Sequence, residues 1–295
     1  MRRRHPILRG IINLAALGFF LIVAFGLLGR LSADGVGPFD TNVVAVVAVE
    51  GVIENSDDIV QTLDRLAKND GVRAVVLRVD SPGGGVAPSQ EIYDAVWRAR
   101  QKKPVVASLG GEAASGGYYI ASACQTIVAN PGTLTGSIGV IMHTGTVSEL
   151  LKKIGVSPTT LKAGKFKDIG SPFREMTEEE RKLLGDVLDN VHEQFIAAVA
   201  RGRSLKVDDI RPLADGRIFS GQQALELHLV DRLGGLEDAV KVAAERAGIT
   251  GEPHSIEIEK AQPPWWWKLV SGLAPTPPAG LSGLQFLYSG PPISG

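Results

Sequence analysis

From Asn42 onward, short β-branched runs alternate with amphipathic helical patterns, and few folds accommodate this alternation. Strands are predicted at Val43–Val49, Val72–Val79, Val105–Leu109, Thr126–Ala129 and Ile138–Met142. Helices are predicted at Asp57–Lys68, Ser89–Gln101, Ala114–Ala123, Glu178–Arg203 and Leu236–Ala247. Continuous apolar strand runs are typical of a sheet that is buried on both faces. The sequence therefore predicts an α/β fold built from βα units around a mostly parallel sheet.

The amino terminus carries a membrane signal. Residues 1–10 form a basic segment that contains Arg2, Arg3, Arg4 and Arg9, and residues 11–29 are uncharged. A helix over 11–29 would be roughly 28 Å long, close to the thickness of a hydrocarbon core. The positive-inside rule places the arginines in the cytoplasm and the rest of the chain outside. We predict a retained transmembrane anchor; a cleaved signal peptide is the alternative, although its apolar region is usually shorter.

The remainder divides into three parts. Residues 30–41 are predicted to be a linker, and residues 42–259 a single folded domain. Residues 260–295 are rich in Pro, Gly and Trp and lack periodicity, so we interpret them as a tail. The tail includes Trp265–Trp267 beside Lys268, a group suited to the headgroup region of a membrane. The apolar 284–288 segment is a candidate occupant of a substrate groove, which the sequence alone does not decide.

Composition excludes several classes of protein. Lys and Arg total 31 and Asp and Glu total 32, so the net charge of −1 gives no basis for binding nucleic acid. The single cysteine, Cys124, excludes an intramolecular disulfide and a multi-cysteine zinc site, and its context favours core packing. No cofactor or metal is predicted. The 35 glycines exceed the usual share and are partly concentrated in two turns.

These two turns are candidate sites of chemistry. Asp80-Ser81-Pro82-Gly83-Gly84-Gly85 follows a strand, and its glycines allow backbone N–H groups to face an oxyanion. A plain glycine-rich βα turn is the alternative. Ser115 lies in Gly110–Tyr119, at a second strand-to-helix junction, with the amide of Gly116 beside it. This placement is typical of a nucleophile elbow, in which a sharp turn presents the serine hydroxyl. The simpler alternative is that Ser115 caps the helix.

A nucleophilic serine needs a base. His143 follows a predicted strand and is the plausible histidine of the five. The alternative is a lysine from the Gly-bounded loop that contains Lys162, Lys165 and Lys167. A lysine acts as a base only when burial lowers its pKa from about 10.4 to near 7–8. The residues alone do not choose between histidine and lysine.

Four sequence blocks resemble signal peptide peptidase A in its short, membrane-anchored form. They are DSPGGG, GGEAASGGYYIA, KAGKFKDIGSPFREMTEEE and GRIFSGQQALELHLVDRLGG, and the similarity runs over roughly residues 43–247. The resemblance implies a Clp-protease/crotonase-like βα spiral and a Ser–Lys dyad. It implies Ser115 as the nucleophile and Lys167 as the base, with Gly116, Gly84 and, as a further candidate, Gly83 as oxyanion donors.

The resemblance also implies partners and a place of action. Its members degrade remnant signal peptides, so apolar peptides at the inner membrane are the expected substrates. It further implies a homo-oligomeric ring in which a neighbouring chain supplies the lysine. Three alternatives stay open: a Ser–His peptidase of the Clp type, an acyl-CoA enzyme of the crotonase fold, and a non-catalytic membrane scaffold. The sequence departs from the family pattern at His228, where a glycine is usual.

Overall fold

The computed structural model describes residues 17–20, 42–258 and 285–287. Its strands are β1 (Val43–Glu50), β2 (Val72–Ser81), β3 (Gly83–Gly85), β4 (Val105–Ala114), β5 (Thr126–Ala129), β6 (Leu134–Gly136), β7 (Ile218–Ser220), β8 (Arg232–Leu233), β9 (His254–Ile258) and β10 (Gln285–Leu287). Its helices are α1 (Asp57–Leu66), α2 (Val86–Ala99), α3 (Gly116–Ser122), α4 (Ser148–Lys153), α5 (Glu178–Arg203), α6 (Val207–Ile210), α7 (Gly221–Glu226) and α8 (Leu236–Arg246).

The main sheet has the order β7-β6-β4-β2-β1-β9, with β5 branching from β4 and pairing with β8. Every described pair in this sheet is parallel except β6 with β7. The long strand β4 pairs with β5 along its first half and with β6 at its end. β4 therefore reaches past the sheet centre and delivers its last residue, Ala114, to the carboxyl edge, where parallel α/β sheets bind ligands.

The sheet is buried on both faces, as the continuous apolar runs predicted. In β1, Val43, Ala45 and Val47 face one cluster, and the intervening Val44 and Val46 face another. The first cluster is covered by α1, α2, α3 and α5, and the second by α8. Since the side-chain period of a strand is 2, a one-residue slip would exchange the two faces, so helices on both sides hold the register.

Most predicted elements are confirmed, but the strand at Ile138–Met142 is wrong. The structure has instead the strand β6, which ends at Gly136. Gly136 and Ser137 both have positive φ, +80° and +50°, so the extended chain breaks there. Ile138 is fully buried, which explains the apolar pattern without a strand. The glycine strands β3 and β6 were missed because neither has the β-branched composition of a typical strand.

His228 adopts a left-handed conformation with φ +59° at the end of α7. A glycine takes this conformation at no steric cost, whereas a residue with a Cβ is strained by roughly 1–2 kcal/mol. The departure at His228 therefore affects a helix-to-strand corner before β8 and leaves the turn that holds Ser115 untouched.

The predicted anchor at 11–29 lies outside the described residues apart from 17–20, which are helical and carry the exposed side chains of Leu17, Phe19 and Phe20. In the part of the chain that is described, no helix combines the length and the apolar composition needed to span a bilayer. Trp265–Trp267 and Lys268 also lie outside the described residues.

The packing of α5 against α3, at the carboxyl edge of the sheet, can be tested at Gly202. It lies in α5, and a Cβ at this position would overlap the carbonyl oxygen of Ser122 at the end of α3. Gly202→Ala should lower the free energy of unfolding by about 1–3 kcal/mol. Gly185→Ala is the matched control, because nothing lies within 4 Å of its added methyl, and it should stabilise the same helix by about 0.5–1 kcal/mol. Chemical denaturation of both variants measures the difference, and equal effects would refute this packing.

Candidate active site

Ser115 occupies the junction between β4 and α3. It is 1% exposed and has φ +50° and ψ −115°. Its N–H donates to the carbonyl of Gly136 at 2.9 Å, and its carbonyl accepts from the N–H of Tyr119 at 2.8 Å. Two backbone bonds thus hold the serine between the end of β6 and the first turn of α3. A strained backbone of this kind costs about 1–3 kcal/mol and persists only where its surroundings fix it.

The helix-cap interpretation of Ser115 is wrong. Ser115 precedes the first residue of α3, but its side chain makes no capping hydrogen bond. A capping serine has an extended backbone that aims its oxygen at the helix amides. The left-handed φ of Ser115 prevents this arrangement, and it resembles the sharp turn of a nucleophile elbow, in which the hydroxyl stands clear of the helix.

The Ser81 side chain holds the predicted oxyanion loop, residues 80–85, in place. The Ser81 hydroxyl donates to the carbonyl of Gly51 at 2.6 Å and accepts from the N–H of Gly83 at 3.1 Å. Gly83 has φ +102°, a conformation that favours glycine. Beyond it, β3 runs beside Ile53, which donates to the carbonyl of Gly83 and accepts from the N–H of Gly85, each at 2.8 Å. The loop is therefore a fixed strand edge.

Gly116 brings the two glycine turns together. A Cβ on Gly116 would lie 2.7 Å from the Ser89 hydroxyl oxygen, 3.1 Å from the Gly83 Cα and 3.2 Å from the Gly84 nitrogen. Only glycine allows this approach. The Gly84 nitrogen and the Gly83 Cα therefore lie against Gly116, the residue that follows Ser115, so the structure brings together four of the five predicted site residues.

Two serines contribute to this geometry and were not singled out from the sequence. Ser89, fully buried in the first turn of α2, donates from its hydroxyl to the carbonyl of Gly85 at 2.8 Å and fixes the end of β3. Ser137 has φ +50°, and its N–H donates to the carbonyl of Arg217 at 2.8 Å, directly after the residue that accepts from Ser115. In the sequence, Ser137 directly follows Gly136 and Ser89 lies four residues after Gly85, and this proximity to glycines is a weak indication by itself.

Aromatic side chains support the helix that follows the nucleophile. The Tyr118 hydroxyl is buried and donates to the carbonyl of Leu229 at 2.7 Å. The Tyr119 ring packs between those of Tyr93 and Phe195, with centroids 5.0 and 4.9 Å apart. Burial raises the pKa of Tyr119 to about 12, so it stays neutral. Burial likewise raises the pKa of the Cys124 thiol to about 12, which confirms its structural role.

Lys167 is not buried in the single chain. It lies in the turns between residues 163 and 170, and its side chain is exposed. The expectation that the lysine loses its charge through burial therefore fails for one chain alone. Its neighbour Asp168, by contrast, is held by hydrogen bonds from Arg174. Within the described residues, no hydrogen bond joins Ser115 to Lys167, and none joins Ser115 to His143, which is also exposed.

A compact ion-pair cluster fixes the loop that carries Lys167. Arg174 donates to both oxygens of Asp168 at 2.8 and 2.9 Å and to an oxygen of Glu180 at 2.7 Å. Glu180 also closes the capping box of α5 with Thr177. Lys162 donates to Asp168. The bond to Arg174 lowers the pKa of Glu180 to about 2, and Arg174 followed by Lys162 lowers that of Asp168.

A second pair of carboxylates flanks the site. The N–H of Glu112, in β4, donates to Asp80 at 3.1 Å. Partial burial, and secondarily the charge of Asp80, raises the pKa of Glu112. Asp80 also packs against the backbone of Gly110, where a Cβ would lie 2.6 Å from its carboxyl carbon. This contact joins the ends of β2 and β4, which carry the two glycine turns.

A buried serine with positive φ at a strand-to-helix turn, with a glycine loop packed against the residue that follows it, is typical of hydrolases that form a covalent intermediate on serine. Comparison with known families agrees with this class. The Clp protease family model matches residues 42–132, and the peptidase family S49 model matches residues 98–250. The chain belongs to peptidase family S49, and its family indicates protease activity.

Individual relatives agree with this assignment. A provisionally named protease of Synechocystis sp. is 49% identical over 191 residues, which cover 65% of this chain and 68% of the relative. A provisionally named signal peptide peptidase SppA of Enterococcus faecium is 40% identical, covering 63% of this chain and 54% of that protein. The chloroplastic serine protease SPPA of Arabidopsis thaliana is 32% identical over 77% of this chain but only 32% of its own length. This chain therefore matches only part of the latter two relatives.

The cluster around Arg174 predicts an acid-sensitive loop. Because folding lowers the pKa of Glu180 to about 2 and lowers that of Asp168, their stabilisation is fully present above the unfolded carboxyl pKa of about 4 and is lost as pH falls toward 2. The protection factors of amides 162–176, which correct the exchange rates for the intrinsic pH dependence of amide exchange, should therefore fall as the pH is lowered through this window.

Arg174→Met should produce the fast-exchanging loop already at pH 7, with a smaller further change on acidification. Arg181→Met is the matched control, since Arg181 makes only an exposed pair with Glu178, and surface pairs of this kind contribute about 0–1 kcal/mol. Equal exchange in the two variants would contradict the role of Arg174.

Proposed function

We propose that this protein is a membrane-anchored serine endopeptidase that uses a Ser–Lys dyad to degrade remnant signal peptides and other apolar peptides. The observation that carries the proposal is the arrangement around Ser115: a serine with positive φ whose following residue, Gly116, packs against the backbone nitrogen of Gly84. This arrangement suits attack on a carbonyl, because the negative charge that develops on its oxygen meets two fixed N–H donors.

The reaction proceeds in two halves. The Ser115 oxygen attacks the carbonyl carbon of a peptide bond as its proton passes to the Lys167 amine. The amides of Gly116 and Gly84 stabilise the oxyanion, and Gly83, held by Ser81, shapes the loop. The C–N bond then breaks, and the proton moves from Lys167 to the leaving amine. Lys167 then takes a proton from water, and the resulting hydroxide attacks the acyl carbon. The acyl–oxygen bond breaks as the lysine returns that proton to the Ser115 oxygen.

Lys167 must be neutral to accept a proton, which requires a pKa lowered to near 7–8. Desolvation produces such a shift, whereas an exposed ammonium group stays charged at neutral pH. Because the side chain is exposed in one chain, we infer that a neighbouring chain buries it. The lysine of one protomer then serves the serine of the next, and the active unit is a homo-oligomeric ring.

An apolar surface supports this assembly. Most of the exposed large apolar side chains in the described residues lie between 147 and 187, on the segment that carries Lys167. They are Val147, Leu150, Ile154, Val156, Leu161, Phe173, Leu183 and Val187. Leu161 is 94% exposed and stands six residues before Lys167. Large exposed apolar side chains concentrated on one segment are typical of protein interfaces, so we assign the 147–187 surface to contact with the neighbouring protomer.

The predicted anchor supports the choice of substrate. Residues 11–29 would hold the enzyme in the inner membrane, with residues 1–10 in the cytoplasm and the protease domain outside. Remnant signal peptides are apolar helices left in the same bilayer, so an anchor concentrates enzyme and substrate in one plane. The Enterococcus faecium relative is named a signal peptide peptidase, in agreement with this substrate class.

Substitution of the candidate bases tests the dyad. Ser115→Ala and Lys167→Ala should each lower kcat of the purified oligomer on a signal-peptide substrate by at least about 10³-fold. His143→Ala should change kcat by no more than about twofold, since an exposed histidine outside the site has no part in proton transfer. Loss of activity in His143→Ala with retention in Lys167→Ala would establish a Ser–His peptidase. Full peptidase activity without Ser115 would overturn its assignment as the nucleophile, and a wild-type oligomer without peptidase activity would leave the acyl-CoA enzyme and scaffold alternatives.

Mixing two inactive variants tests whether the dyad is shared between chains. Ser115→Ala supplies a working lysine and Lys167→Ala a working serine, so sites between unlike chains are complete. Dissociation and random reassembly should restore about a quarter of the wild-type activity in a closed ring with one site per interface. A mixture as inactive as its components would place both residues of the dyad in one chain. Each variant dissociated and reassembled alone is the control.

A further inference from the structure

The strand β10, close to the end of the chain, pairs with the loop strand of the site. β10 is antiparallel to β3, with Gln285 opposite Gly85, Phe286 opposite Gly84 and Leu287 opposite Gly83. It also lies beside α2 and α3. Pairing with three glycines places no side chain of β3 in the way, so the contact is a backbone contact.

The two edges of β3 have different functions. On one edge, the N–H of Ile53 donates to the carbonyl of Gly83, and the carbonyl of Ile53 accepts from the N–H of Gly85. Because alternate residues of a strand direct their backbone groups to opposite edges, the N–H and C=O of Gly84 point to the other edge. That second edge is the one that pairs with β10 through Phe286. The amide of Gly84 is therefore directed at the backbone of the tail.

The same amide is an oxyanion candidate. The Gly84 nitrogen lies close to Gly116, which follows the nucleophile Ser115. Along β10 the chain passes first Gly85 and then Gly83, so it approaches the serine from the Gly85 end of β3. An extended peptide that adds to this strand edge and presents a carbonyl to Ser115 would require the same backbone groups.

We propose that residues 285–287 are a built-in occupant of the peptide-binding edge of β3, where they compete with substrate. The proposal rests on the function proposed above, since competition requires a peptide substrate. The segment belongs to the same chain as the domain, so its binding to β3 is intramolecular, and effective concentrations of linked segments reach the millimolar range. A pairing of three residues is short enough for a longer, tightly bound peptide to displace it, so the tail raises KM without changing kcat.

Phe286→Pro in the full-length chain tests this occupancy. Proline has no N–H to donate to the carbonyl of Gly84 and disrupts strand pairing. Thr276→Pro is the matched control, because it adds a proline to the same tail in an already proline-rich stretch. Hydrogen exchange at single-residue resolution compares two amides: that of Gly84, which faces β10, and that of Gly85, which is bonded to Ile53. KM and kcat for an extended apolar peptide are measured on the same proteins.

We expect the Gly84 amide to exchange at least about tenfold faster in Phe286→Pro, while the Gly85 amide is unchanged and Thr276→Pro behaves as the wild type. KM should fall about three- to tenfold with constant kcat, as expected on removal of a tethered competitor. Unchanged exchange at Gly84 would overturn the occupancy. Altered exchange with an unchanged KM in an active enzyme would overturn the competition. Altered exchange in a protein without peptidase activity would support the occupancy and refute the proposed function instead.

Discussion

The hydrogen bond from the Ser115 N–H to the Gly136 carbonyl is the interaction on which the site depends. It ties the end of β4 to the end of β6 at the point where the chain turns into α3 with a positive φ. This backbone conformation of Ser115 costs about 1–3 kcal/mol, and the buried sheet that precedes the turn holds it in place. That turn positions three groups that a serine hydrolase needs near its active serine: an unobstructed hydroxyl, the amide of Gly116 and the glycine loop.

The sequence predicted the sheet and the strand-to-helix turn at Ser115 well, because both depend on local pattern. The apolar runs at β1, β2 and β4 are long enough to identify a buried parallel strand, and Ser115 stands among small residues at a strand end. The failures lie where tertiary contacts decide the backbone. β3 is a strand only because Ile53 and β10 pair with it, and the chain after Gly136 bends because Ser137 bonds to Arg217. No local propensity indicates such contacts.

The lysine illustrates a limit of another kind. The sequence alone left histidine and lysine open, and the resemblance selected Lys167. In the single chain this side chain is exposed, on a loop fixed by Arg174, Asp168 and Glu180. A fixed loop with an apolar surface beside it suits contact with another chain. If the dyad forms between chains, assembly and the lowered pKa of the lysine become one event, so that a free monomer carries no active site.

Covalent labelling of the nucleophile tests the central claim most directly. The full-length protein is treated with a serine-reactive phosphonate probe at neutral pH, and the modified peptide is mapped by mass spectrometry. The account predicts a single adduct on Ser115, abolished by Ser115→Ala, with the buried Ser89 and Ser137 unmodified. An oligomer that takes up no label, or one labelled at another serine, would contradict the assignment of Ser115 as the nucleophile.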